Sequence, residues 1–130
     1  MVLVRLLCLL PDNSESLQVK GILKTFPLFT VRDLSVPCKE NLEMALSAET
    51  DLLLLNDDLG GMDVFSFMER RATPSEFIIV SSDPALGIKA FEHGAAGFLV
   101  HPVTPEKMAI ALWRAYEQLC FHPRREGKRD

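Results

Sequence analysis

Four consecutive leucines, Leu52 to Leu55, lie between Asp51 and the polar triplet Asn56-Asp57-Asp58, with Gly60-Gly61 just beyond. A strand that lies on one side of a core alternates apolar and polar residues. One that is apolar at every position needs cover on both faces, as in the middle of a parallel sheet layered by helices. The run is far short of the roughly 20 apolar residues that span a membrane. Ligands of open parallel sheets gather beyond the carboxyl ends of the strands, so Asn56, Asp57 and Asp58 stand where a site is expected. The glycine pair ends the strand, and Met62 is expected to open the next helix.

The rest of the chain supplies partners for such a strand. Val2 to Leu10 reads as a first buried strand; Arg5 interrupts it and no small-residue cleavage site follows, which argues against a secretory leader. Pro11-Asp12-Asn13-Ser14 offers a turn and helix caps, and Leu17, Val19, Ile22, Leu23 and Phe26 recur near helical spacing up to Pro27. A short strand over Leu28–Val31 and a helix over Leu42–Glu49 precede the leucine run. After it come a helix from Met62 to Arg71 broken at Thr73-Pro74, a strand Phe77–Val80, and a helix from Pro84 to His93 stopped by Gly94. A brief strand Gly97–Val100 follows, then a long helix capped by Thr104 and opened by Pro105. Five strand–helix alternations imply a parallel, doubly wound α/β sheet.

Composition narrows the function classes. At 130 residues, 48% of them hydrophobic, the chain fits one globular domain, expected over residues 1–119 with a polar basic tail over 120–130. The formal charge is −4, although Arg124, Arg125, Lys128 and Arg129 make the tail locally positive. An acidic body is a poor partner for nucleic acid, whose binding rests on neutralised phosphates. Cys8, Cys38 and Cys120 show no metal-ligand spacing, which fits a reduced, cytoplasmic compartment. No stretch is apolar enough for a membrane span.

Three segments together carry a resemblance: the leucine run through Gly61-Met62-Asp63, the strand end Phe77 to Ser82, and Gly94-Ala95-Ala96-Gly97-Phe98-Leu99-Val100-His101-Pro102. Over about residues 2–119 the chain resembles the receiver domains of two-component response regulators. The resemblance implies a flavodoxin-like fold, a five-stranded parallel sheet in the order 2-1-3-4-5 with helices on both faces. In that family a third-strand aspartate accepts a phosphoryl group, an acidic pair after strand 1 helps hold magnesium, and a lysine before a cis-proline contacts the phosphoryl oxygens. Carried over to this sequence, the phosphoacceptor position holds Asn56, the acidic pair is replaced by Leu10 and Pro11 with Asp12 beside them, and the lysine position holds His101. Ser81 stands at the switch hydroxyl, Phe98 at the switch aromatic, and Pro102 at the expected cis-proline.

The departures remove separable chemical requirements. An acyl phosphate needs a carboxylate nucleophile, which an amide cannot replace. Magnesium needs hard oxygen ligands that leucine and proline side chains lack, so its binding is expected to be lost or weak. Imidazole, unlike an ammonium group, is largely neutral at pH 7 when unperturbed. The expectation is a non-catalytic pseudo-receiver without cofactor or metal, acting by phosphorylation-independent protein contact. Rival readings are a receiver phosphorylated on Asp58 or Asp12, a metal site formed by Asp12, Asp58 and His101, and a small-molecule sensor using the space near Leu10, Asn56, Ser81 and His101. The plainer readings make Asp58 a loop acid, Ser81 a strand-end hydroxyl bonded to backbone, His101 a space-filler hydrogen-bonded to nearby polar groups, His93 a helix C-terminal partner, His122 a tail residue and Cys8 a small buried hydrophobe.

The last helix adds a surface. In the family's register Met108, Leu112 and Ala115 face inward, leaving Ile110, Trp113 and Glu117 on an outer stripe. The face formed by helix 4, strand 5 and helix 5 serves many receiver domains for dimerisation or partner docking. An exposed Trp113 beside Ile110 is an anchor for such contact.

Overall fold

The leucine run occupies the middle of the computed structural model, which describes residues 4–33, 37–71 and 74–121. Val2 and Leu3 of the expected first strand, Thr73 of the expected break, and the tail from His122 onward lie outside the described residues. In chain order the elements are β1 (Val4–Leu9), α1 (Ser14–Leu23), β2 (Phe29–Asp33), α2 (Lys39–Ser47), β3 (Leu52–Asn56), β4 (Asp58–Leu59), β5 (Met62–Asp63), α3 (Val64–Arg70), β6 (Glu76–Ser81), α4 (Gly87–Glu92), β7 (Gly97–Val100) and α5 (Pro105–Phe121). The main sheet runs β2-β1-β3-β6-β7 with every pair parallel, which is the 2-1-3-4-5 order.

Alternation splits the four leucines between two cores. Leu52 and Leu54 join Val19 and Leu23 of α1 and Met108 and Leu112 of α5 on one face. Leu53 and Leu55 join Leu42 of α2, Phe65 and Phe67 of α3 and Ala90 of α4 on the other. All four are fully buried, each stabilising the fold by roughly 1.5–3 kcal/mol relative to exposure. No helix among the described residues is long and apolar enough to cross a membrane.

Local chemistry sets the ends of the elements. Asn13 Oδ1 accepts the Ser16 N–H at 2.8 Å and starts α1, while Thr104 Oγ1 accepts the Lys107 N–H at 3.2 Å ahead of Pro105 and starts α5. Met62 does not open a helix. It pairs with Leu59 in a small antiparallel hairpin, β4–β5, and Asp63 caps α3 by accepting the Phe65 and Ser66 N–H groups at 3.1 and 3.3 Å. A two-residue hairpin turn requires positive φ, which Gly60 (+63°) and Gly61 (+97°) supply. Gly60 is further constrained, since a Cβ there would lie 2.3 Å from the Pro37 carbonyl oxygen.

Three other expectations are revised. Helix α2 begins at Lys39 and ends at Ser47, earlier at both ends than the Leu42–Glu49 reading. Leu17, counted with the apolar face of α1, is exposed; α1 buries only Ser16, Val19 and Leu23. The segment from Pro84 starts as a 3-10 turn over Pro84–Leu86, with Asp83 accepting the Ala85 N–H, before α4 proper. Arg71, read only as the end of a helix, ties the sheet's amino end together. Its guanidinium donates to the carbonyl of Ala45, to that of Ala48 at 2.7 Å and to Ser75 Oγ at 2.7 Å. The Ser75 hydroxyl in turn donates to Thr50 O, and the Thr50 hydroxyl to Arg5 O. Burial pushes the Arg71 guanidinium down to about 10.

Candidate functional site

The sheet brings the expected pocket residues to one edge. Leu10 follows β1, Asn56 ends β3, Ser81 ends β6 and His101 follows β7, so four neighbouring strands deliver them at their carboxyl ends. The ladder pairs Asn56 with Val80 and Ser81 with Val100, and the His101 N–H donates to Ser81 O at 3.0 Å. The His101–Pro102 peptide is cis, as the resemblance implied. Leu10 is buried and Pro11 half-buried, so the floor beside Asn56 is apolar; Asp12 is exposed.

The polar groups at this edge bond to their own loops. Asn56 Nδ2 donates to the Asp58 carbonyl oxygen at 2.9 Å. The Asp58 carboxylate is exposed and turned toward the hairpin, where it accepts the Gly61 N–H at 2.9 Å. Ser81, fully buried, accepts the Asp83 N–H on Oγ at 2.9 Å, in line with a strand-end hydroxyl bonded to backbone. His101 departs from expectation: its Nδ1 is buried without a hydrogen-bond partner among the described residues. Asp12, Asp58 and His101 do not converge; among the described residues no three His, Cys, Asp or Glu side chains are placed to hold a metal ion. None of the three cavities described among these residues is lined by Leu10, Asn56, Ser81 or His101.

Of the seven exposed large apolar side chains among the described residues, five (Ile88, Phe91, Ile110, Trp113 and Phe121) lie on α4 and α5. Met108, Leu112 and Ala115 are buried, while Ile110 and Trp113 are 58% and 56% exposed, as the register implied. Glu117, placed on the same outer stripe, is half-buried, and Trp113 stacks on Tyr116 at 6.0 Å between ring centroids. The sequence reading missed the opposite wall, where Ile88 and Phe91 of α4 are 77% and 49% exposed. Their spacing of three residues around an inward Ala90 was the available signal. Between the helices runs a groove of about 250 Å³ along β7, with Phe98 half-buried in its floor. Gly87 lets α4 approach that ring, since a Cβ there would sit 3.3 Å from Phe98 Cδ2.

His93 closes α4 and ties it to α3. Its Nδ1 lies 2.9 Å from Lys89 O, its Nε2 3.6 Å from a Glu69 carboxylate oxygen, and its ring 4.7 Å from that of Phe65. Cys8, fully buried beneath α1, has its thiol pushed up to about 12, chiefly by burial.

Comparison with solved structures places this geometry. The receiver domain of AraT, a response regulator from Geobacillus stearothermophilus, superposes with a TM-score of 0.73 at 16% identity, covering 95% of this chain and all (100%) of that one. A response regulator receiver domain from Clostridium thermocellum gives 0.72 at 22% identity over 91% and 98% of the two chains. The fold is that of a receiver domain. The bacteriophytochrome response regulator RtBRR shares it as well, at TM-score 0.72 and 14% identity, over 88% of this chain and 78% of that one. No protein-family model and no curated protein matches the sequence. Within the receiver fold, β3 is the strand that ends in Asn56, and the last strand of the sheet is β7.

Proposed function

We propose that this receiver-fold chain is a non-catalytic module of two-component-type signalling that works through protein contact on its α4–β7–α5 face, independently of phosphorylation and magnesium. The observation that carries the reading is the exposure of four large apolar side chains, Ile88, Phe91, Ile110 and Trp113, on the two helices that flank one groove. Large apolar side chains left exposed on neighbouring elements mark interaction sites on folded domains, and an exposed aromatic such as Trp113 is the usual anchor. The strand-end pocket supports the same reading. Asn56 offers no carboxylate nucleophile, and its amide is engaged with the carbonyl that the receiver pattern would place beside a metal. Asp58, the substitute acceptor, holds the hairpin turn instead.

The test combines two measurements on the whole chain. Amide NMR spectra are recorded with magnesium and then beryllofluoride; resonances around Asn56, Ser81 and His101 are expected to stay in place. Sedimentation then compares the wild type with Trp113→Ala, which is expected to lose association while keeping its fold. Shifts with both additions would restore a phosphorylation switch, and unchanged association would remove this face from the account.

A further inference from the structure

We infer that the groove on the α4–β7–α5 face takes an extended peptide segment of alternating apolar and acidic residues, added as a sixth strand beside β7. The inference rests on the reading of that face as the interaction surface and names the partner's form. β7 is the last strand of the sheet, so one side of its backbone has no strand neighbour among the described residues. The His101 N–H, one residue beyond the strand, donates to Ser81 O of β6 at 3.0 Å. With the register that pairs Ser81 with Val100, alternation along the strand turns the peptide groups of Gly97 and Leu99 to β6 and those of Phe98 and Val100 to the open side.

The two edges of the sheet differ in how they are guarded. β2, at the far edge, exposes Thr30, Arg32 and Asp33, and Asp33 pairs with Lys20 at 3.2 Å. Charged side chains on an edge strand discourage further pairing. β7 reads Gly-Phe-Leu-Val and carries no charge. It lies at the bottom of a groove open to solvent, as a strand-accepting edge requires.

The groove's walls specify the side chains. Toward α4 the wall is Phe91; toward α5 it is Lys107, Ile110 and Arg114. Lys107 and Arg114 form no ion pair among the described residues. Successive side chains of an added strand point to opposite faces. One set would meet the aromatic wall and the other the two cations, which matches alternating apolar and acidic residues. A second copy of β7 offers no acid, and would bring like charges together at the same cations.

The experiment titrates the labelled chain with a capped peptide of about eight residues alternating Val and Glu. Three controls accompany it: the Val–Lys counterpart, a Val–Glu peptide N-methylated at alternate amides, and the protein variant Lys107→Glu with Arg114→Glu. The chain's net charge of −4 would draw the lysine peptide non-specifically, so preference for the acidic one reports the groove. The expected result is a shift of the Phe98 and Val100 amides and about tenfold slower exchange with the acidic peptide. N-methylation should weaken binding about tenfold, and the double charge reversal should abolish it. Equal binding of the lysine or N-methylated peptide, or no shift at Phe98 and Val100, overturns the inference. So does protection that grows with protein concentration alone, which would assign the edge to a second copy. A Trp113→Ala variant that loses association while the peptide fails to bind leaves the interaction face standing and removes only strand addition.

Discussion

Asn56→Asp would restore the carboxylate that the receiver pattern places at the end of β3, and the structure gives its cost. The wild-type amide donates to the Asp58 carbonyl at 2.9 Å from a half-buried position. An ionised carboxylate has no proton to donate, so the bond is lost and two oxygens face each other. A lost hydrogen bond contributes about 1 kcal/mol, and leaving the carbonyl unpartnered adds a comparable amount, so destabilisation of about 2 kcal/mol is expected at pH 7. Protonation returns a donor. The introduced carboxyl therefore has a folded pKa raised above its unfolded value near 3.9. The sign follows: its contribution is fully present below about pH 4 and is lost as pH rises through the folded pKa, over roughly pH 4–6. Urea unfolding of variant and wild type across that range gives the difference free of other titrations. A variant as stable as wild type at neutral pH, or a difference that does not move with pH, would refute the hydrogen-bond argument. Magnesium that restores stability to the variant would show that the apolar floor of Leu10 and Pro11 still admits the ion.

Cys8 makes stability sensitive to alkali: its thiol, raised to about 12 in the fold, keeps its proton while the unfolded thiol ionises, so stability is intact below about pH 9 and falls by about 1.4 kcal/mol per pH unit above it. Urea titrations of wild type and Cys8→Ala should diverge in slope there; parallel curves would show that the thiol titrates alike in both states. Gly97→Ala places a Cβ 3.0 Å from the Ala111 Cβ and should cost about 1–3 kcal/mol; adding Ala111→Gly should recover part of it, and a double-mutant cycle showing simple additivity would deny the contact. Arg71→Met keeps the aliphatic stem and removes the donors to Ala45, Ala48 and Ser75, with an expected loss of about 2–4 kcal/mol by urea unfolding. A loss under about 0.5 kcal/mol would show that water replaces the guanidinium.

Elements defined by a single strong constraint were legible in the sequence. Leucines with no polar alternation had to be a central strand, and Gly97–Val100 and Pro105 came out at their observed positions because glycine and proline bound them. Elements where two local chemistries compete were less legible. Met62-Asp63 could begin a helix by propensity, but the Asp63 carboxylate satisfies two N–H groups of the first turn and fixes the start at Val64. Leu17 fitted the helical spacing of α1, yet that helix buries only Ser16, Val19 and Leu23. In the site, the positions of Asn56, Ser81 and His101 followed from the strand ends, whereas their partners did not. Whether the Asp58 carboxylate enters a pocket or closes a turn depends on a hairpin that residue types alone do not specify. The α4 wall was missed because Ile88 and Phe91 were counted as ordinary helix residues, and only burial shows that they are uncovered.

The same bonds explain why, on the proposed reading, signalling would pass through a surface. A switch driven from the strand-end pocket needs polar groups there whose bonding changes when a ligand arrives. Asn56 is held by Asp58 O, Asp58 by Gly61 N–H and Ser81 by Asp83 N–H, each within three residues of its partner. An arriving anion would have to break these bonds without a cationic lysine to reward it. The Nδ1 of His101 is the one buried side-chain polar atom at this edge with no hydrogen bond among the described residues, and a single imidazole nitrogen is little to build a phosphate site on. On the α4–β7–α5 face the balance is reversed: among the described residues, large apolar side chains and two cations without an ion pair meet solvent beside a strand edge with no neighbour, so covering them gains free energy without first breaking a bond in the fold.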